Sequence, residues 1–359
     1  KDLRGFGIIP DIVCVRTEKP CPRAICEKIA AFSGISGDAV VNLPDISSVY
    51  DVPFNVLKSG VLEILNDFVG DDSEPDMSRW MEYSARRSSE YDKTVKVGLV
   101  AKYVGNEDTY ICVTEALKAA AAWNEVNLDL KWINAEDLSG DGDVKARTLS
   151  EMDGVVVPGG FGLRGVEGKI AAASYCLEND KPYLGLCLGL QAACIAAARR
   201  GGLPGAGSEE FLGDPGVKKP RDFKNVIYIM DGQKGKESTG GTMRLGDYPA
   251  TLKAGSRIAD YYRESFDDGA YIDGTKVLKD GRVKVIERHR HRYEVNQKYL
   301  KEISKGGVEV TGYSPDGSLV EFIEAPSLRF FAATQAHPEF KSRPLNVHPL
   351  FYQFVKSLK

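Results

Sequence analysis

Gly185-Leu186-Cys187-Leu188-Gly189-Leu190-Gln191 constrains the fold more than any other stretch of the chain. It follows the apolar pair Tyr183-Leu184 and runs into Ala192-Ala193-Cys194-Ile195-Ala196-Ala197-Ala198-Arg199-Arg200, a strong helix former. A strand therefore turns sharply into a helix at Cys187, the thiol counterpart of a nucleophile elbow. The flanking glycines allow a strained turn and a close approach of substrate to the sulfur. A helix N-terminus behind the sulfur favours the thiolate, the reactive form. The Leu188 amide points to the same place, where it can stabilise an oxyanion. Set against this, a Cys at the end of an apolar strand is ordinarily a buried small hydrophobe, so the motif needs a base to carry chemistry.

Near the end of the chain, Phe330-Phe331-Ala332-Ala333-Thr334-Gln335 reads as a strand, followed by Ala336-His337-Pro338-Glu339-Phe340. A His at a strand end with a carboxylate two residues on fits a general base and its orienting partner. The chain has only four His, and this one has both the carboxylate and a Pro to fix its loop.

Taken together, Gly-Leu-Cys-Leu-Gly-Leu-Gln and Gln-Ala-His-Pro-Glu-Phe resemble the class I (triad) glutamine amidotransferases. The Val157-Pro158-Gly159-Gly160-Phe161-Gly162-Leu163-Arg164-Gly165-Val166-Glu167-Gly168-Lys169 and Glu287-Arg288-His289-Arg290-His291-Arg292-Tyr293-Glu294-Val295-Asn296 stretches resemble the CTP synthase family, and the likeness runs along essentially the whole chain. The resemblance implies an α/β fold: a flavodoxin-like glutamine amidotransferase (glutaminase) domain over residues 94–359, a linker at 71–93, and the carboxy-terminal remnant of a P-loop-type amidoligase (synthase) domain at 1–70. It implies Cys187 as nucleophile, His337 as base and Glu339 as its orienter. Gly160 and Leu188 would supply the oxyanion amides. Gly189, Leu190 and Gln191 join them around glutamine, with Glu210 accepting from its α-amino group and Arg292 holding its α-carboxylate with a planar fork. Lys28 would lie at a UTP/CTP site, and Pro44-Asp45-Ile46 near an ATP site.

The implied activity is that of a ligase of pyrimidine biosynthesis. Ammonia from glutamine aminates UTP to CTP at the expense of ATP, with Mg2+ in the complete enzyme, GTP as activator and no cofactor or metal in the glutaminase domain. The family assembles as homotetramers. One departure is large: no Gly-x-x-x-x-Gly-Lys-Ser/Thr phosphate cradle occurs in the chain, and the family's magnesium-binding acidic residues are missing with it. The chain also opens Lys1-Asp2-Leu3 without a Met. The expectation is a truncated or processed chain, lacking the N-terminal synthase half and competent only for the glutaminase half.

The length, 359 residues, suits two or three domains. A net charge of −4 argues against a general nucleic-acid binder. No apolar run reaches membrane-spanning length, and seven scattered Cys without metal-ligand spacing fit a reduced, cytoplasmic protein. Pro10–Arg16 reads as a buried strand, Pro22–Phe32 as a helix, Ala39–Leu43 as a strand, and the run through Pro53 to Phe68 as a helix. The polar stretch after Asp71 reads as a linker with a short helix around Trp80. Val95–Val100 opens the second domain. Tyr110–Trp123 and Val166–Glu178 read as helices, Leu128–Ile133 and Gly154–Val157 as strands. Ala135–Asp143 reads as solvated surface, Gly201–Arg221 as loop, and Pro349–Leu358 as a capping helix.

The Gly240–Gly246 stretch is too glycine-rich for a regular element. It resembles the family's mobile lid in GTP activation, and a hairpin turn stays open. In the Arg288–Arg292 run, strand alternation puts the arginines on one face and the histidines on the other; flanking Glu287 and Glu294 offset the charge. Two other classes compete: a plain thiol hydrolase of related fold, such as a peptidase or γ-glutamyl hydrolase, and a non-catalytic regulatory chain. The Glu210 and Arg292 pair argues against the first, and intact Cys187, His337 and Glu339 argue against the second.

Overall fold

Strands buried on both faces read as continuous apolar runs rather than alternating ones. Gly154–Val157, Tyr183–Leu186 and Phe331–Thr334 are such runs, and every residue in them is buried. The computed structural model describes residues 2–71, 73–102, 104–105, 107–140, 142–212, 221–230, 243–267 and 274–359. The chain divides into two compact units, Lys1–Ala85 and Arg86–Lys359.

The first unit holds a short helix α1 (Asp2–Gly5), strand β1 (Val13–Thr17), helix α2 (Arg23–Ser33), strand β2 (Val40–Pro44), and helices α3 (Val52–Lys58) and α4 (Val61–Val69). β1 and β2 pair in parallel, Val13 opposite Val40, with α2 as the crossover between them. Two expectations are corrected here. β1 alternates half-buried and exposed residues instead of being buried throughout. The helix expected to run on to Phe68 breaks at Gly60, which takes φ 78°. Helix α5 (Ser78–Ser88) is the one expected around Trp80, and it runs across the division between the units.

The second unit continues with β3 (Thr94–Ala101), α6 (Ile111–Trp123), β4 (Asn127–Asn134), α7 (Gly142–Ser150), β5 (Gly154–Val157), α8 (Val166–Glu178), β6 (Tyr183–Leu186) and α9 (Leu188–Arg200). It proceeds through β7 (Ala206–Ser208), β8 (Lys224–Ile229), β9 (Arg244–Leu252), α10 (Arg257–Asp267), β10 (Lys276–Val277), β11 (Val283–His291) and β12 (Tyr293–Val295). It closes with α11 (Leu300–Lys305), β13 (Glu309–Tyr313), β14 (Val320–Glu324), β15 (Phe331–Thr334) and α12 (Pro349–Lys356).

One sheet runs in the order β10-β11-β9-β13-β14-β15-β6-β5-β3-β4, and a small one in the order β12-β8-β7. In the large sheet β15, β6, β5, β3 and β4 are mutually parallel. Counted along the chain, these five strands stand in the order 2-1-3-4-5, the flavodoxin-like winding. An antiparallel set from β14 to β10 extends the sheet at the β15 edge. Helix α6 packs with α12 and α12 with α10, while α8 packs with α9 and α9 with α11. The apolar stripe of α12, Leu350, Phe351 and Phe354, is buried as its spacing requires; Leu358, also expected in this helix, is buried in the turn just past its end.

Three loop expectations change. The stretch from Ala135 forms a tight helical turn (Ala135–Ser139), and Ala135 and Leu138 are buried because Gly168 of α8 brings its backbone against the Ala135 carbonyl. The Gly201–Arg221 loop contains β7 and a helical turn at Glu209–Leu212, with residues 213–220 outside the described ones. Of Gly240–Gly246, residues 240–242 lie outside the described residues, and Arg244–Gly246 open β9, paired with His289–His291 of β11.

A single glycine sets the closeness of α9 to β5. A Cβ on Gly189 would stand 2.1 Å from the Val157 carbonyl oxygen. Gly189→Ala is expected to push α9 off the sheet and lower unfolding free energy by about 2 kcal/mol or more, read as a lower midpoint in urea. An unchanged midpoint would show that the helix can shift at no cost.

Candidate active site

Ligands of open α/β sheets bind at the carboxyl ends of the parallel strands. Four neighbouring strands deliver the site here. Lys102 follows β3, Pro158–Gly162 follow β5, Cys187 follows β6, and Gln335–His337 follow β15.

Cys187 is the N-cap of α9 at φ 52° and ψ −101°, a conformation that L residues rarely adopt. Its N–H donates to the Thr334 carbonyl at 2.8 Å, which pins the turn to β15. The side chain is 3% exposed. The Gln335 amide donates to its sulfur at 3.7 Å, and Gln335 in turn accepts from the Gln191 amide at 3.2 Å.

His337 is held from two sides. Its N–H donates to the Arg288 carbonyl at 2.7 Å, and its ring Nδ1 donates to the Glu339 carboxylate at 2.7 Å. Among the described residues no hydrogen bond of good geometry reaches the buried Nε2, and the Cys187 sulfur is close enough to act on the ring's charge. Burial by itself would push the His337 pKa down. The Glu339 carboxylate and the Cys187 sulfur outweigh it and hold the imidazole well above the ordinary histidine value. Gly159 completes the approach: a Cβ there would stand 2.7 Å from His337 Cε1 and 3.5 Å from Cys187 Cβ. Cys187, His337 and Glu339 are thus brought together with the loop after β5.

Glu210 reaches the same loop, accepting from the Gly162 N–H at 2.7 Å. Burial raises its pKa, against the pull of the Gly162 amide, Lys102 and Arg292. Arg292 is therefore a near neighbour in charge, and it is 7% exposed. Alternation had grouped Arg292 with Arg288 and Arg290. The structure separates them, because Arg292 lies past the end of β11, in the turn into β12, and is buried while the other two are exposed.

The remaining expected ligands take other positions. Gly189 and Leu190 are buried where α9 meets the sheet. The Gln191 amide donates to the Tyr293 carbonyl at 3.1 Å as well as to Gln335. Leu188 opens α9, so its backbone N–H sits at a helix start. In the first unit Lys28 is exposed on α2, while Pro44 ends β2 and Asp45, also exposed, pairs with Arg16 at 3.5 Å; Ile46 follows, half-buried.

Two lysines escape a reading by motif. Fully buried Lys169 of α8 donates to the carbonyls of Pro158 at 2.6 Å and Gly159 at 3.2 Å. Lys102 donates to the carbonyls of Phe161 at 2.8 Å and Gly162. Burial lowers the Lys169 pKa to about 7 and the Lys102 pKa to about 8. Their signal in the sequence is a Lys at the end of an apolar strand and another in the apolar run Lys169-Ile170-Ala171-Ala172-Ala173.

Beside the site, β11 carries a buried polar cluster. His289 Nδ1 and His291 Nε2 are 2.9 Å apart, His291 lies 3.4 Å from Glu294, and Arg244 pairs with Glu321 at 2.6 Å. Burial, with Arg244 and His337 nearby, pushes the His291 pKa down to about 3. Glu287 is buried as well, accepting from Tyr262 at 2.7 Å and lying 3.0 Å from His348 Nε2.

The chain is similar to known proteins. The family model "Glutamine amidotransferase class-I" matches residues 107–357, and the model "CTP synthase N-terminus" matches residues 1–70. The chain belongs to the class-I glutamine amidotransferase family. Within it, the likeness along the whole chain is to CTP synthases. The CTP synthase of Caldanaerobacter subterraneus subsp. tengcongensis is 42% identical over 100% of this chain, and that of Methanocaldococcus jannaschii 42% over 99%. In both cases the match covers 62% of the relative, so the chain spans less than two thirds of their length. The glutaminase domain of Trypanosoma brucei CTPS, solved with bound acivicin, superposes with a TM-score of 0.62 at 35% identity, covering 74% of this chain and 93% of that one.

The Glu339 carboxylate is the chief charge that keeps His337 protonated. In Glu339→Gln the His337 pKa is expected to fall, so the alkaline limb of the kcat/KM profile moves to lower pH. The peak rate should drop about tenfold or more as the ring loses its orienter. A pH–rate profile checks this, and an unmoved alkaline limb would show that Glu339 does not set the charge of His337.

Proposed function

We propose that this chain carries the glutamine-hydrolysing half of a CTP synthase, releasing ammonia for the ATP-dependent amination of UTP. One observation carries the reading. A strained Cys187 at a strand-to-helix turn lies beside a His337–Glu339 pair, in a site that also holds a carboxylate and a guanidinium, Glu210 and Arg292.

In this reading Arg292 takes the glutamine α-carboxylate with its planar fork, and Glu210 takes the α-amino group. The Cys187 thiolate attacks the side-chain amide carbon, and the carbonyl electrons move onto oxygen. The Gly160 and Leu188 amides receive that oxyanion. The C–N bond breaks as His337 gives its proton to the departing nitrogen, and ammonia leaves a glutamyl thioester. His337, now neutral, takes a proton from water, which attacks the thioester and frees glutamate and the thiolate. Glu339 keeps the ring oriented throughout. The seven cysteines are free thiols, which fits a reducing, cytoplasmic setting.

UTP, ATP with Mg2+, activating GTP and tetrameric assembly belong to the whole enzyme in this proposal. ATP with Mg2+ would supply the phosphoryl transfer that activates UTP. Among the described residues no group of three or more His, Cys, Asp or Glu could hold a metal ion, and no step above runs through one. Lys28 and Pro44–Ile46 stand as the residues of this chain proposed to face the nucleotides. Among the described residues no helix is long and apolar enough to cross a membrane.

The glutamine analogue 6-diazo-5-oxo-norleucine is expected to alkylate Cys187 alone among the seven thiols, with excess glutamine protecting it, as mapped by peptide mass spectrometry. Adducts spread over exposed Cys14 and Cys112 without protection would overturn the reading. Arg292→Lys keeps the charge but loses the fork. It should raise KM for glutamine about tenfold or more with a smaller effect on kcat.

A further inference from the structure

The hydrolytic steps leave several buried ionisable groups unused, and Lys169 is one that lies against the site. Lys169 is fully buried in α8, and its ammonium donates to two successive carbonyls, Pro158 and Gly159, in the loop that faces Cys187. The peptide joining Gly159 to Gly160 is planar, and the described residues contain no cis peptide. In a trans peptide the C=O and the N–H point in opposite directions. Holding the Gly159 carbonyl on Lys169 therefore turns the Gly160 N–H away from α8, toward the half-exposed side of the loop.

The next lysine shows the same geometry completed. Lys102 holds the Phe161 carbonyl, and on the other side of that peptide the Gly162 N–H donates to Glu210 at 2.7 Å. Glycines do not hold such an orientation by themselves, because their φ and ψ are free. A buried lysine nitrogen that donates to both carbonyls can hold it.

We propose that Lys169 is a positioning residue for glutamine hydrolysis: its ammonium fixes the Pro158 and Gly159 carbonyls so that the Gly160 amide is presented to the oxyanion. The proposal rests on the glutaminase reading, with Gly160 as an oxyanion donor. Lys169 touches neither substrate nor sulfur in this role. It acts on the step that builds negative charge on oxygen and leaves ground-state binding by Arg292 and Glu210 alone.

The test compares the full chain with Lys169→Met, which keeps the length and removes the donor. Three quantities are measured: kcat and KM for glutamine, the rate at which iodoacetamide alkylates Cys187, and the thermal melt. Iodoacetamide needs the thiolate but makes no oxyanion. The expected result for K169M is a kcat about 10- to 100-fold lower, with KM and the alkylation rate each within about threefold. Lys169→Gln keeps a donor too short to span both carbonyls, so its kcat should fall between the two, and it carries the test if K169M does not fold.

Wild-type kcat in a folded variant overturns the proposal while leaving the glutaminase reading intact. Loss of kcat and alkylation in parallel also overturns it, because Lys169 would then be supporting the thiolate or the fold. No glutamine turnover in the unaltered chain overturns the glutaminase reading and this proposal with it.

Discussion

The backbone turn at Cys187 is the constraint on which the site depends. A non-glycine residue at φ 52° costs about 1–3 kcal/mol, so the surroundings must hold it there. They do so with a hydrogen bond from its N–H to Thr334, with α9 lying close on β5 at Gly189, and with a helix buried from Leu188 to Ala198 behind it. The same turn puts the sulfur at the start of a helix and brings it to the imidazole that β15 delivers. If the turn relaxed, nucleophile, base and oxyanion loop would lose their common reference.

Electrostatics then decide which forms of these groups persist. Burial penalises every charge at the site, yet His337 stays above the ordinary histidine value because a carboxylate and a sulfur lie against it. The opposite outcome is found on β11, where burial, with Arg244 nearby, pushes His289 and His291 toward neutrality. The lysines form a third case: burial lowers their pKa values, and backbone carbonyls take the place of water around their ammonium groups. Three kinds of buried base thus stand in and beside one site: burial lowers the pKa of the lysines and of His289 and His291, and of these groups only His337 has neighbouring charges that outweigh it.

The two units differ in how fully they bury their apolar residues. The second unit has a continuous core built on five parallel strands. The first unit leaves Phe6, Phe32 and Phe68 each at least 80% exposed; its described residues form two paired strands, helices α1 to α4 and most of α5. The CTP synthases it resembles are longer than this chain.

Much of the site was legible before any coordinates. Gly185–Gln191 and His337-Pro338-Glu339 announce a nucleophile and its base because small residues flank the sharp turn and because a carboxylate two residues from the imidazole is near enough to orient it. The strands β5, β6 and β15 were legible as apolar runs, since burial on both faces leaves no room for alternation, and β3 joins them after an alternating start at residues 94–97. What the sequence could not decide depends on packing between distant segments. Alternation groups Arg292 with Arg288 and Arg290 until the turn after β11 buries it alone of the three. Ala135–Leu138 passes for solvated surface until Gly168 lets α8 close on it. Lys169 and Lys102 pass for surface charges, because a lysine's value to a loop rests on which carbonyls the folded chain sets within 3 Å or so of its nitrogen. Periodicity and local motifs are properties of neighbouring residues, and the sequence by itself determines them. The pairing of buried charges with partners from other strands is set only when the sheet brings those strands together, and the tertiary structure alone decides it.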